Sequence, residues 1–146
     1  MIQRIQTVYL LVASLLMASL LKLIFAEMTV NDELYTFSAK GIFNNETLIS
    51  NGLPIIIFIG IIVLLHFVII AMYKKRTKQI RVTVFTIVLL FGLFGLLFYF
   101  TYTHDLTNVA FKIPVAFPLA AIILDFLAIR AIRKDENIIR SLNRIR

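Results

Sequence analysis

Apolar and polar residues are sorted into blocks along this chain rather than interleaved. Long apolar runs occupy residues 5–25, 54–73, 82–103 and 114–133. Crossing a hydrocarbon core about 30 Å thick takes roughly 20 helical residues, and each run meets that length. In lipid the backbone polar groups must be satisfied within the segment, so even the β-branched run Pro54-Ile-Ile-Ile-Phe-Ile-Gly-Ile-Ile-Val is read as helix. The intervening segments follow other periods. Residues 34–43, Leu-Tyr-Thr-Phe-Ser-Ala-Lys-Gly-Ile-Phe, alternate polar and apolar with Lys40-Gly41 as a turn. They predict a short β-hairpin held on the helix ends by Tyr35, Phe37 and Phe43. In the tail, residues 134–146, Ile138, Ile139, Leu142 and Ile145 share one helical face while Arg140, Arg144 and Arg146 fill much of the rest. That pattern is an amphipathic basic helix suited to the headgroup plane or to a docking partner.

The connections after the second and third runs are too short to reach anything but an antiparallel neighbour. The expected fold is therefore an all-α membrane protein: an up-down bundle of four transmembrane helices, with a short extracytoplasmic β-hairpin and a C-terminal amphipathic cytoplasmic helix. All 146 residues form one such domain. Pro54 and Pro114 open helices two and four, where a missing N–H removes nothing the helix needs. Pro118, inside the fourth run, predicts a local kink. Ser14 with Ala18, and Ala116 with Ala120, offer small-residue spacings for close helix approach. Arg4 before an apolar stretch also describes a signal peptide. Cleavage after Ala26 would want a small residue where Ile24 stands, and the run is too long, so the segment is read as a retained first helix.

Composition reinforces the pattern. Apolar residues make up 60% and charged residues 16%, where soluble domains run about 45–50% and about 25%. This excludes an ordinary soluble globule. The net charge of +7 would raise nucleic acid as a partner in a soluble chain, but here it sets orientation. Lys74, Lys75, Arg76, Lys78 and Arg81 fall between helices two and three, and Arg130, Arg133, Lys134, Arg140, Arg144 and Arg146 at the end of the chain. With Arg4, twelve of fifteen cations lie on one side, which the positive-inside rule makes cytoplasmic. With no cysteine, there is no disulfide and no thiolate chemistry.

Candidate chemistry is sparse. The chain has no phosphate loop, no His-Glu-x-x-His zinc site, no nucleophile elbow and no dinucleotide fingerprint, so no catalytic residue, metal site or cofactor is assigned. His104-Asp105 is read as an exposed loop pair, because metal sites need three or four ligands. The basic segment 74–81 suits anionic lipid on the cytoplasmic side. It lacks the aromatic residues that stack on nucleic acid bases, so nucleic acid is not expected. The informative pair is His66 and Asp125, the ionisable residues well inside apolar runs. Counted from Pro54 and Pro114 at 1.5 Å per residue, they lie about 18 and 16 Å deep and share a layer. An aspartate at that depth needs a partner. Two readings remain open for the pair: an interhelical hydrogen bond that fixes helix contact, or a proton or ion site.

The opening Met1-Ile2-Gln3-Arg4-Ile5-Gln6-Thr7-Val8-Tyr9-Leu10, the string Leu127-Ala128-Ile129-Arg130-Ala131-Ile132-Arg133-Lys134-Asp135-Glu136 and the closing Ile139-Arg140-Ser141-Leu142-Asn143-Arg144-Ile145-Arg146 resemble a Bacteroidota family. It consists of small four-helix inner-membrane proteins classed as a domain of unknown function, number 4293. The resemblance implies a bacterial cytoplasmic membrane and no established activity, and it carries over no site residues. The expected function is a non-catalytic scaffold or accessory subunit with a protein partner or a second copy. The alternative is a small proton-linked carrier or channel using His66 and Asp125.

Overall fold

The apolar runs become helices, and the segments at one end of them become a sheet. The computed structural model describes residues 3–30, 33–45, 47–73, 75–103 and 109–143. In chain order these form α1 (Gln3–Ser19), β1 (Ile24–Val30), β2 (Glu33–Ser38), β3 (Gly41–Asn44), β4 (Thr47–Asn51), α2 (Leu53–Ala71), α3 (Arg76–Thr103), β5 (Val109–Phe111), a 3-10 turn (Ile113–Ala116) and α4 (Phe117–Asn143). The stretches Leu53–Ala71, Arg76–Tyr102 and Ile113–Asn137 are long and apolar enough to cross a membrane. At 17 residues, α1 spans about 25 Å and falls short of the hydrocarbon thickness.

The expected all-α architecture is corrected on the sheet side. In place of an isolated hairpin there is a five-stranded antiparallel sheet in the order β4-β3-β2-β1-β5. A hairpin does form there, but its turn is Ala39-Lys40, one residue before the expected Lys40-Gly41, and Gly41 opens β3 paired with Ser38. Its neighbours came from segments read otherwise. Residues 24 and 25, taken as the end of the first helix, instead start β1. Three 3-10-type bonds, from the N–H groups of Leu20, Leu21 and Lys22 to Met17, Ala18 and Ser19, tighten and close the helix before them. An apolar run does not reveal where helix gives way to strand, because both bury the same side chains. Strand β5 joins β1 through the pairs Ala26 with Phe111 and Met28 with Val109, tying the link before α4 to the link after α1.

Gly41 permits the β2–β3–β4 turn. Its φ of +132° is open to glycine, and a Cβ there would lie 2.0 Å from the Ser50 carbonyl oxygen. The sheet rests on the helix ends through aromatic packing. Phe37 is buried, edge-on to Phe25 and stacked on Phe100 of α3 with ring centroids 6.2 Å apart. Tyr35 packs at the margin of the same cluster, whereas in β3 the buried apolar side chain is Ile42 rather than Phe43.

Two further boundaries move. The fourth helix was expected from Pro114 with a kink at Pro118. The structure makes residues 113–116 a 3-10 turn and starts α4 at Phe117, so Pro118 lies in the first turn, where an N–H would have no intrahelical acceptor and its absence costs the helix nothing. The segment read as a basic loop is mostly helix: α3 begins at Arg76 and carries Arg76, Lys78 and Arg81 in its first turns. Likewise the tail is no separate helix, because α4 runs unbroken to Asn143.

The helices form a ring in which α1 and α3 each pack against both α2 and α4. Buried positions recur at spacings of four and three: Gln6, Leu10, Ala13 and Met17 on α1 with Leu20 just after it, and Ile55, Ile59, Ile62, His66 and Ile69 on α2. The same spacing gives Gln79, Thr83, Thr86, Leu90, Leu93 and Leu97 on α3, and Ala121, Asp125, Ala128, Ile132 and Asp135 on α4. A 3.5-residue period is the seam of left-handed helix packing, and it sets the interior in layers. Of the small residues marked from sequence, Ser14 is buried, Ala18 and Ala120 are half-buried and Ala116 is exposed, while Ala13, Ala121 and Ala128 are fully buried.

Candidate functional site

One turn in the sequence of layers changes the chemistry of the interior. Toward the sheet, Ile62, Leu90 and Ala121 belong to a large apolar cluster, and farther away Leu10, Ile69 and Ala128 form a second one. On α2, His66 falls between Ile62 and Ile69, and on α4, Asp125 falls between Ala121 and Ala128. Both have zero exposure. The 4-3 spacing points each side chain into the ring, and the similar residue counts from Pro54 and Pro114, twelve and eleven, bring them to one layer. His66 Nε2 lies 3.1 Å from Asp125 Oδ1, and His66 Nδ1 lies 2.8 Å from the Ile62 carbonyl oxygen.

These two contacts fix the proton inventory. A carbonyl only accepts, so Nδ1 carries a proton and donates it to Ile62. The Nε2 to Oδ1 contact then holds one further proton, owned by the imidazole as an imidazolium–carboxylate pair or by the carboxyl beside a neutral imidazole. The pair is neutral overall in both arrangements, which makes its burial tolerable. Chemically it can lock two helices together or move a proton between two atoms without changing net charge. Asp125 Oδ2 is buried and has no hydrogen-bond partner among the described residues.

Polar residues that the pattern reading missed surround the end of the ring away from the sheet. Gln79 Nε2 donates to the Ile69 carbonyl at 3.1 Å, linking the start of α3 to the end of α2. Thr83 and Thr86 donate to the Gln79 and Val82 carbonyls of their own helix. Gln6 and Asp135 are buried at the same end. The Oε1 atoms of Gln6 and Gln79 are buried without a hydrogen-bond partner among the described residues. The signal was present in sequence: Gln79, Thr83 and Thr86 follow the same 4-3 spacing as the leucines after them, but Gln79 sits among cations in the segment read as a loop, and Thr83 and Thr86 lie within the third apolar run.

The remaining candidates stay apart from the pair. Lys75, Lys78 and Arg81 are exposed and Arg76 is half-buried, on the last link and first turns before and within α3, while Lys74 lies outside the described residues. Ile138, Ile139, Arg140 and Leu142 lie on the backbone of α4, and the surroundings of their side chains are outside the description, as are Arg144 and Ile145 altogether. His104 and Asp105 are also outside it.

Comparison with curated proteins gives no match. The model of the family described as Domain of unknown function (DUF4293) matches residues 2–145, nearly the full chain. With its apolar helices and its strings at both ends, this chain belongs to the DUF4293 family.

Proposed function

We propose that the chain is a non-catalytic integral membrane protein of a bacterial inner membrane, a four-span scaffold or accessory subunit with its first and last residues on the cytoplasmic side. The observation that carries this reading is an inverted distribution of polarity. Leu64, Val88 and Phe126 are 62%, 61% and 63% exposed on the outside of the ring, while His66, Asp125, Gln79 and Thr83 are buried inside it. Water would penalise such an exterior, and a lipid solvent favours it. Exposed Ile5, Val8, Leu11 and Leu15 give α1 the same outward face, which supports counting it as a span despite its length.

Orientation draws on length. With 28 and 27 residues, α3 and α4 measure about 42 and 40 Å, more than the hydrocarbon core, so their ends away from the sheet extend into the headgroups. Those ends carry Lys78, Arg81, Arg130, Arg133 and Lys134, all exposed, and suit the anionic cytoplasmic leaflet. The sheet then lies outside, available to a protein partner or a second copy. In this reading His66 and Asp125 set the register of α2 against α4, closed off on both sides by apolar layers. The buried oxygens of Asp125, Gln79 and Gln6 favour a second reading, a small proton-linked carrier or channel whose half of the ring away from the sheet holds water. Activity reporters fused after Asn44, Thr77, Asn108 and Arg146 test the map: outside, inside, outside, inside is expected, and any other order refutes it.

A further inference from the structure

Where α1 gives way to β1, and β5 to the 3-10 turn before α4, the two links run side by side and leave an open pocket of about 530 Å³. Backbone bonds hold its walls. The Lys112 N–H donates to the Phe25 carbonyl at 2.8 Å, and Ala26 pairs with Phe111. Two lysines, Lys22 from one link and Lys112 from the other, stand at the pocket, and the rest of its lining is apolar, chiefly Ile24, Phe111 and Ile113. Those three side chains are exposed, Ile113 to 81%. The Lys112 ammonium is paired with the Glu27 carboxylate, and Lys22 makes no ion pair among the described residues. The three charges sum to +1.

Cations beside exposed apolar side chains call for a ligand with both characters. A free phosphate ester would meet the lysines and leave the apolar wall bare. A neutral or zwitterionic amphiphile would cover the wall without supplying the matching net charge. The pocket lies at the sheet end of α1 and α4, which under the four-span reading is the outer boundary between hydrocarbon and headgroups. We propose that it binds one outer-leaflet phospholipid with a monoanionic phosphodiester headgroup, the phosphate at Lys22 and Lys112 and an acyl chain over Ile24, Phe111 and Ile113. Ammonium to phosphate attraction supplies the headgroup selectivity, and the buried methylenes supply the rest. This inference rests on the membrane reading above.

The test is native mass spectrometry of the full chain released from neutral detergent, titrated with dioctanoyl phosphatidylglycerol, dioctanoyl phosphatidylcholine or glycerol 3-phosphate. Phosphatidylglycerol is expected to bind selectively. Lys22→Gln and Lys112→Gln should each weaken it about fivefold. Glu27→Gln, which frees Lys112, should tighten it. The combined Lys75→Gln, Lys78→Gln and Arg81→Gln variant, at the opposite end of the ring, should leave the selective site unchanged. Equal binding of phosphatidylcholine, glycerol 3-phosphate competing as well as the lipid, or loss only in the opposite-end variant overturns the proposal. If Lys112→Gln disturbs the sheet by circular dichroism, Lys22→Gln alone decides, since it breaks no ion pair among the described residues. Alkaline carbonate extraction separates the two levels of failure. A chain released as soluble protein refutes the membrane reading, whereas a chain retained in the membrane with lipid binding untouched by the lysine changes refutes the lipid site alone.

Discussion

Replacing His66 and Asp125 by leucine, singly and together, separates the worth of their bond from the penalty of burying each group. Both side chains are fully buried and their contact is 3.1 Å. In Asp125→Leu the imidazole keeps its Nδ1 bond to Ile62 and loses one interhelical hydrogen bond, a change worth about 0.6 kcal/mol on average and up to about 1.7 kcal/mol in membrane helices. His66→Leu is harsher. Asp125 Oδ2 already has no partner among the described residues, and the substitution leaves Oδ1 bare as well. An unpaired aspartate at a helix centre costs about 2.5–3.5 kcal/mol by insertion measurements. The double variant removes the stranded carboxylate and should be more stable than His66→Leu alone, which gives a coupling energy of about 2–3 kcal/mol. Asp125→Asn should fall near the unsubstituted protein, because its amide can donate to Nε2. The assay is unfolding in mixed micelles by added dodecyl sulfate, followed by helical circular dichroism. Additive losses, or a His66→Leu variant no weaker than Asp125→Leu, would refute the proton inventory and the pairing built on it.

The glycines supply two more outcomes of opposite sign. Gly41→Ala combines a φ of +132° with a Cβ 2.0 Å from the Ser50 carbonyl oxygen and 2.9 Å from the Gly52 nitrogen, backbone atoms that have nowhere to go. It should open the β3–β4 pairing at a cost of at least about 1–3 kcal/mol, seen as faster trypsin cutting at Lys40, and an unchanged cutting rate would count against the sheet as described. Gly60→Ala and Gly95→Ala place a Cβ where nothing lies within 4 Å. Each should stabilise its helix by up to about 1 kcal/mol in the same dodecyl sulfate titration, and a loss at either site would mean that another surface packs there.

What the sequence revealed and what it hid divide along a physical line. A long apolar run announces a helix because lipid and helix place the same demand on every residue, and α2 and α3 were legible for that reason. The meeting of His66 and Asp125 was legible too, since nearly equal residue counts from Pro54 and Pro114 put them in one layer, although residues 113–116 form a 3-10 turn rather than α-helix. Strands β1 and β5 were hidden because a strand is defined by its partner. Ile24 and Phe25 have the hydropathy of the helix they follow, and three residues, Val109–Phe111, carry no period of their own. The basic segment misled for a different reason: charge identifies the end of a span but is indifferent to whether the backbone there is coiled, so the first turns of α3 passed for a loop. Thr83 and Thr86 lie inside the third run and were not singled out, and the buried Gln79 was overlooked because polarity was equated with surface, a rule for proteins in water.

That last failure carries the strongest argument about what the molecule is for. In a chain dissolved in lipid, apolar side chains cannot drive helices together, since the solvent is as apolar as they are. The specific contacts between helices must then come from shape and from polar atoms that find each other inside. Ala13, Ala121 and Ala128 are small and fully buried, the Gln79 amide ties α3 to α2, and His66 ties α2 to α4. Each polar tie joins a different pair of helices, and on the far side the sheet binds the links of all four through β1, β4 and β5. A carrier would need some of these ties to open and re-form as its site alternates between the two faces. Under the scaffold reading proposed above, hydrogen bonds inside the ring and a continuous sheet at one end of it would hold the four helices in one arrangement, which is the property a scaffold requires.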